Sequence, residues 1–171
     1  MRTQSQFDEY LRHVVNGLCQ TEVSYNAVVN QAMYFPYQPV DVTLPAVGTW
    51  TVYMLTSLRD VKIVYIGSSR DLRRRLNTHN KGKGSNMTNY EAYLPFGLVG
   101  YIVGFGDRHS DKSITLRFER LWYEENQKKQ KRNRGMLRCS GMVAIGQQLV
   151  EEWNKRENNK QVTYIVCGMI V

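Results

Sequence analysis

Two short β-rich runs with tyrosines twelve residues apart constrain this chain most. Thr51-Val52-Tyr53 lies in a run spanning residues 50–56, and Val64-Tyr65-Ile66 is closed by Gly67. Only the short link 58–62 separates the runs, so the pattern predicts an antiparallel hairpin. In such a hairpin, Tyr53 and Tyr65 can come side by side on one face. Taken alone the pair reads first as packing, because tyrosine is a good strand former and the chain holds eleven.

A helix is expected next, over about residues 71–80, capped by Ser68 or Ser69. Its apolar pair Leu72 and Leu76 faces inward at i, i+4 spacing. Arg75 and His79 share a neighbouring face, at the boundary between core and surface. A guanidinium there can grip a phosphate in a bidentate fashion. His79 by itself fits a helix cap or core edge as well as a site. Arg73 and Arg74 point elsewhere, to solvent or a DNA backbone.

The loop 81–89, with Lys81 and Lys83, is rich in Gly, Ser, Asn and Lys. A third strand is predicted over 98–105, then a long helix from Ser110 or Asp111 to about Lys131. Ile114, Phe118, Leu121, Trp122 and Glu125 mark one side of that helix. Glu119 follows Phe118 directly and so sits at a core boundary, where a carboxylate can ligate a hard cation or simply pair with a neighbouring base. An amphipathic helix over 142–154, with Ile145, Leu149 and Trp153 four apart, and a closing strand over 162–171 complete the pattern. The expected class is α+β: a small antiparallel sheet of about three strands flanked by helices. Residues 1–47 form a separate piece, with helical spacing from Phe7 to Leu18 and a connector broken by Pro36, Pro39 and Pro45.

Charge narrows the partner. The formal net charge is +8, and segments 59–83 and 112–138 each carry a surplus of six positive side chains. Residues 1–47 carry two positive and four negative ones. Basic charge focused in this way favours a polyanion, most commonly nucleic acid. Lys128, Lys129, Lys131, Arg132 and Arg134 form the densest run. It suits backbone contacts, a solvated face or a nuclear import signal.

In order, the motif reads Tyr53, then Tyr65-Ile66-Gly67, then Arg75, His79-Asn80, and a helical Leu116-Arg117-Phe118-Glu119 with Trp122. That order resembles the GIY-YIG nuclease superfamily over residues 48–171, and within it the catalytic subunit of Slx-type structure-selective endonucleases. The resemblance implies DNA hydrolysis with one divalent ion, Mg²⁺ or Mn²⁺. Glu119 would hold the metal and Arg75 would stabilise charge on the scissile phosphate. Tyr53 would position or deprotonate the attacking water, Tyr65 would help orient it, and His79 would be auxiliary. Lys81, Lys83 and the run from Lys128 to Arg134 would hold a DNA backbone, with branched or flapped DNA as the implied substrate.

The sequence departs from the family in three ways. The first motif reads Thr51-Val52-Tyr53 rather than Gly-Ile-Tyr. The cysteines of a zinc module that docks a scaffold partner are missing. Residues 1–47 match no named element and could instead dock a protein partner. A binding module without catalysis, or a recruitment subunit, stays open beside the enzyme. Three widely spaced cysteines, Cys19, Cys139 and Cys167, fit neither a disulfide framework nor a zinc site. No apolar run approaches the ~20 residues of a membrane span, and the first residues lack a secretory signal. The expectation is an intracellular protein acting in the nucleus or wherever DNA replicates.

Overall fold

The computed structural model describes residues 44–57, 63–85, 93–94, 96–134 and 139–170. The expected helices of residues 1–43 and the thiol of Cys19 lie outside the described residues, as do Pro36 and Pro39.

Four strands form one antiparallel sheet in the order β2-β1-β3-β4. They are β1 (Thr51–Ser57), β2 (Val64–Ser69), β3 (Phe96–Val103) and β4 (Thr163–Ile170). The sheet therefore gains a strand over the expected three, because the closing strand pairs antiparallel with β3, with a register shift between Leu98 and Gly100. β1 is central and buried at every position. Its alternation assigns side chains to two cores. Val52 and Met54 meet Phe118 and Trp122 on one face, while Tyr53 and Leu55 meet Leu72 and Leu76 on the other. β3 carries a bulge at Val99, where its pairing with β1 slips. The extra residue lets Leu98 and Tyr101, three apart, share one core while Val99 and Ile102 share the other.

Helix α1 (Leu72–Asn80) covers the Tyr53 face. Its cap is Asp71, whose carboxylate accepts from Arg74 N, and not Ser68 or Ser69. Ser69 instead accepts from Asp71 N. A 3-10 turn (His109–Asp111) leads into α2 (Lys112–Arg132), and α3 (Cys139–Asn154) follows. α2 and α3 cover the opposite face of the sheet. Asp111 does not cap α2 with its side chain; it accepts from Arg108 N and from Lys160 Nζ, tying the helix start to the segment before β4.

The buried stripe of α2 is Thr115, Phe118, Trp122 and Asn126. This corrects the expected stripe, since Leu121 is 36% exposed and Glu125 bridges Lys128 near the surface. Trp122 is fully buried, its indole N–H donates to Met142 O, and its ring lies where a side chain on Gly146 would have to go. A side chain of this size contributes roughly 1.5–3 kcal/mol through burial. Among the described residues no helix is long and apolar enough to cross a membrane.

Candidate active site

Gly67 of β2 sits at the centre of the candidate site. It pairs with Tyr53, and Tyr65 lies two residues back on the same face, so the two tyrosines are diagonal neighbours across β1 and β2. A Cβ on Gly67 would lie 2.7 Å from the Tyr53 hydroxyl and 2.7 Å from Tyr65 Cε1. The missing side chain is what lets both rings fold over the edge strand.

α1 brings His79 and Arg75 to the same place. The rings of Tyr53, Tyr65 and His79 form a triangle with centroids 6.2, 6.0 and 4.7 Å apart. His79 is fully buried, and its Nε2 lies 2.8 Å from the Tyr53 hydroxyl. Arg75 reaches the hydroxyls of both tyrosines, and its Nη2 donates to Gly84 O at 3.0 Å. A guanidinium can only donate, so the Tyr53 oxygen accepts from Arg75 and its own proton is free for His79 Nε2. That arrangement requires a neutral imidazole. Burial and then the Arg75 charge supply one, lowering the His79 pKa to about 4. Burial, with Tyr65 alongside, pushes the Tyr53 phenol well above its ordinary value, against the pull of Arg75.

Glu119 comes from the other side of the sheet, on α2. Its carboxylate meets the edge strand at Ser68, whose hydroxyl it accepts from, and it lies within electrostatic reach of Arg75 and Tyr53. Burial raises its pKa, while Ser68 and Arg75 oppose the rise. Its Oε2 is buried and has no hydrogen-bond partner. An orphaned buried carboxylate oxygen is costly unless something cationic completes it. Among the described residues no group of three or more His, Cys, Asp or Glu could enclose a metal ion. The donor set therefore fits a hard cation that keeps most of its waters and takes a single carboxylate.

Two contributors were not apparent as site residues in the sequence. Ser68 looks like a helix cap, yet it holds Glu119. Gly84 looks like part of a basic loop. In the structure Gly82 ends α1 with φ +71°, and Gly84 lies so close against the His79 ring that no side chain fits there. The Gly-Lys-Gly spacing after a helix was the available signal, because a left-handed glycine commonly ends helices.

The proposed DNA-contacting residues lie outside this cluster. Arg73, Arg74, Lys81 and Lys83 are exposed around α1 and its end, and Lys128, Lys129, Lys131, Arg132 and Arg134 are exposed at the end of α2. Lys128 is partly neutralised by Glu125 at 3.1 Å.

Residues 49–133 match the model of the GIY-YIG catalytic domain. UPF0213 proteins of Streptococcus pyogenes strains Manfredo and SSI-1 are each 35% identical over 79 residues, which is 42% of this chain and 83% of theirs. The chain belongs to the GIY-YIG family. An uncharacterized protein of Acanthamoeba polyphaga mimivirus is 29% identical over 110 residues, 62% of this chain. The chain spans 61% of that relative's length. The match is to the catalytic domain of a nuclease family.

Proposed function

We propose that this protein is a metal-dependent DNA endonuclease that nicks branched or flapped DNA in repair, recombination or replication. The observation that carries the reading is the buried Glu119 Oε2, unpartnered and within electrostatic reach of Arg75 and Tyr53. Glu119 would hold one Mg²⁺ or Mn²⁺. When bound there, the ion supplies Lewis acidity that helps water attack phosphorus near neutral pH.

The chain's own groups do the rest. Arg75 stabilises the negative charge that develops on the phosphate oxygens. Tyr53 orients the attacking water. It is a poor base here, because burial raises its pKa and because its neighbour His79, with a pKa of about 4, is too weak to take its proton. His79 fixes the direction of the Tyr53 hydroxyl, and Tyr65 flanks the water from the second phenol position. Water adds to phosphorus and releases one proton to solvent, one P–O ester bond breaks, and the leaving oxygen takes a proton from solvent.

Exposed cations on α1, on the loop after it and at the end of α2 hold the backbone without reading sequence. The motif order, the Lys/Gly-rich loop and the closing strand support a place near Slx-type structure-selective subunits. The acidic balance of residues 1–47 favours a protein partner for that piece rather than DNA. The test is Mg²⁺-dependent nicking of branched and flapped oligonucleotides by wild type and Glu119→Ala. Wild type is expected to nick and the variant to bind without nicking, with a loss of at least ~100-fold. Equal nicking would remove Glu119 from the site, and binding without nicking by wild type in any divalent ion would leave a non-catalytic module.

A further inference from the structure

Seven residues beyond Glu119, two turns along the same face of α2, Asn126 is only 6% exposed and both atoms of its amide lack a hydrogen-bond partner. One turn further, the buried Oε1 of Gln130 also has none. Both residues line a cavity of about 140 Å³ between α2, the outer strand β2 and α3, with the unpartnered amide atoms buried at its wall. Val64, Ile66 and Met142 form its apolar walls, and Tyr123, 50% exposed, stands at its rim. Ser68, Ile66 and Val64 alternate along one face of β2, so the cavity and the Ser68–Glu119 contact lie on the same side of that strand.

We infer that this cavity receives one unpaired nucleobase of the substrate strand, close to the scissile phosphate. The inference rests on the nuclease reading above and assigns that site a means of recognising DNA structure. Three observations converge on a base. The first is size, since the volume is well below the ~300 Å³ at which drug-sized pockets begin, so one flat ring fills it. The second is polarity. An amide offers a donor and an acceptor side by side, the pattern that a nucleobase edge complements, as in Asn or Gln paired with adenine. Apolar walls and the half-exposed Tyr123 ring supply stacking surface. The third is distance. Seven helical residues span about 10.5 Å, and at ~3.4 Å per nucleotide along a strand that is about three nucleotides from the phosphate. A base within a duplex enters a concave site only after unpairing and unstacking, whereas one at a flap or branch point is already unstacked and enters at little cost.

The experiment measures binding in EDTA, so it does not depend on cleavage. A flapped oligonucleotide is made with an abasic residue at each of the six positions around the branch in turn. Wild type is expected to bind about tenfold more weakly when the abasic residue falls at one position within three nucleotides of the nick site. Asn126→Leu, close in volume, is expected to bind the intact oligonucleotide as weakly as wild type binds that abasic one, with no added loss when the two are combined. Lys129→Gln, away from the cavity, should weaken every member of the series equally. If wild type binds the intact oligonucleotide but every abasic member binds alike, the cavity holds water or packs protein, and this inference falls while the nuclease reading stands. If no oligonucleotide binds at low salt, both fall. Should Asn126→Leu misfold, Gln130→Leu and the wild-type abasic profile still decide the matter.

Discussion

Burying an imidazole against a phenol makes the fold sensitive to acid. His79 has a pKa of about 4 in the folded chain against 6.5 when exposed. The unfolded state therefore binds more protons between those values, and stability is present above the unfolded pKa and lost as pH falls toward the folded one. At 1.36 kcal/mol per unit of pKa, the loss between pH 7 and pH 5 is about 2 kcal/mol. Urea unfolding at the two pH values should show it, and His79→Gln should flatten the difference. Gly67 sets the other residue-scale constraint. Gly67→Ala puts a methyl group within 2.7 Å of both tyrosines. It is expected to cost about 1–3 kcal/mol by overpacking and to reduce nicking more than DNA binding, as thermal melts and a gel-shift assay would show.

At the scale of elements, α1 is short, nine residues, and carries both Arg75 and His79. Its start depends on the Asp71 carboxylate accepting from Arg74 N. Asp71→Ala should lower stability by about 1 kcal/mol in a denaturant titration, with Asp71→Asn largely restoring it. The elements themselves were legible in the sequence, because period-2 and period-3.6 patterns mark what is buried. Tyr53, Tyr65, Arg75 and Glu119 were legible as a set through their order. The burial of Asn126 was not legible, since a polar residue gives no apolar signal for the inner face of a helix, and Leu121 drew the expected stripe the wrong way. Ser68 was misread because a serine just before a helix reads as a cap, whereas Asp71 caps the helix and the partner of Ser68, Glu119, is distant in sequence. His79 read as auxiliary because only the folded chain shows its ring fully buried against Tyr53.

For the molecule as a whole, the charge surplus lies around the candidate site and not within it. The +8 total is concentrated in the two segments that contain α1 with its loop and α2. Binding of DNA should weaken steeply with salt. Neutralising Lys129, Lys131 and Arg132 together should lower the slope of log K against log salt by about 2–3, each phosphate contact contributing about 0.9. An unchanged slope in fluorescence anisotropy would take the end of α2 out of the DNA path.

One helix holds both Glu119 and the cationic end, with no break between them. Thirteen residues of α-helix make a rigid span of about 20 Å, or roughly six nucleotides of strand. A rod of that kind works as a ruler. If, as proposed, its far end settles on a double-stranded arm, the carboxylate would be delivered at a fixed offset and the position of the cut would follow from where the arm begins.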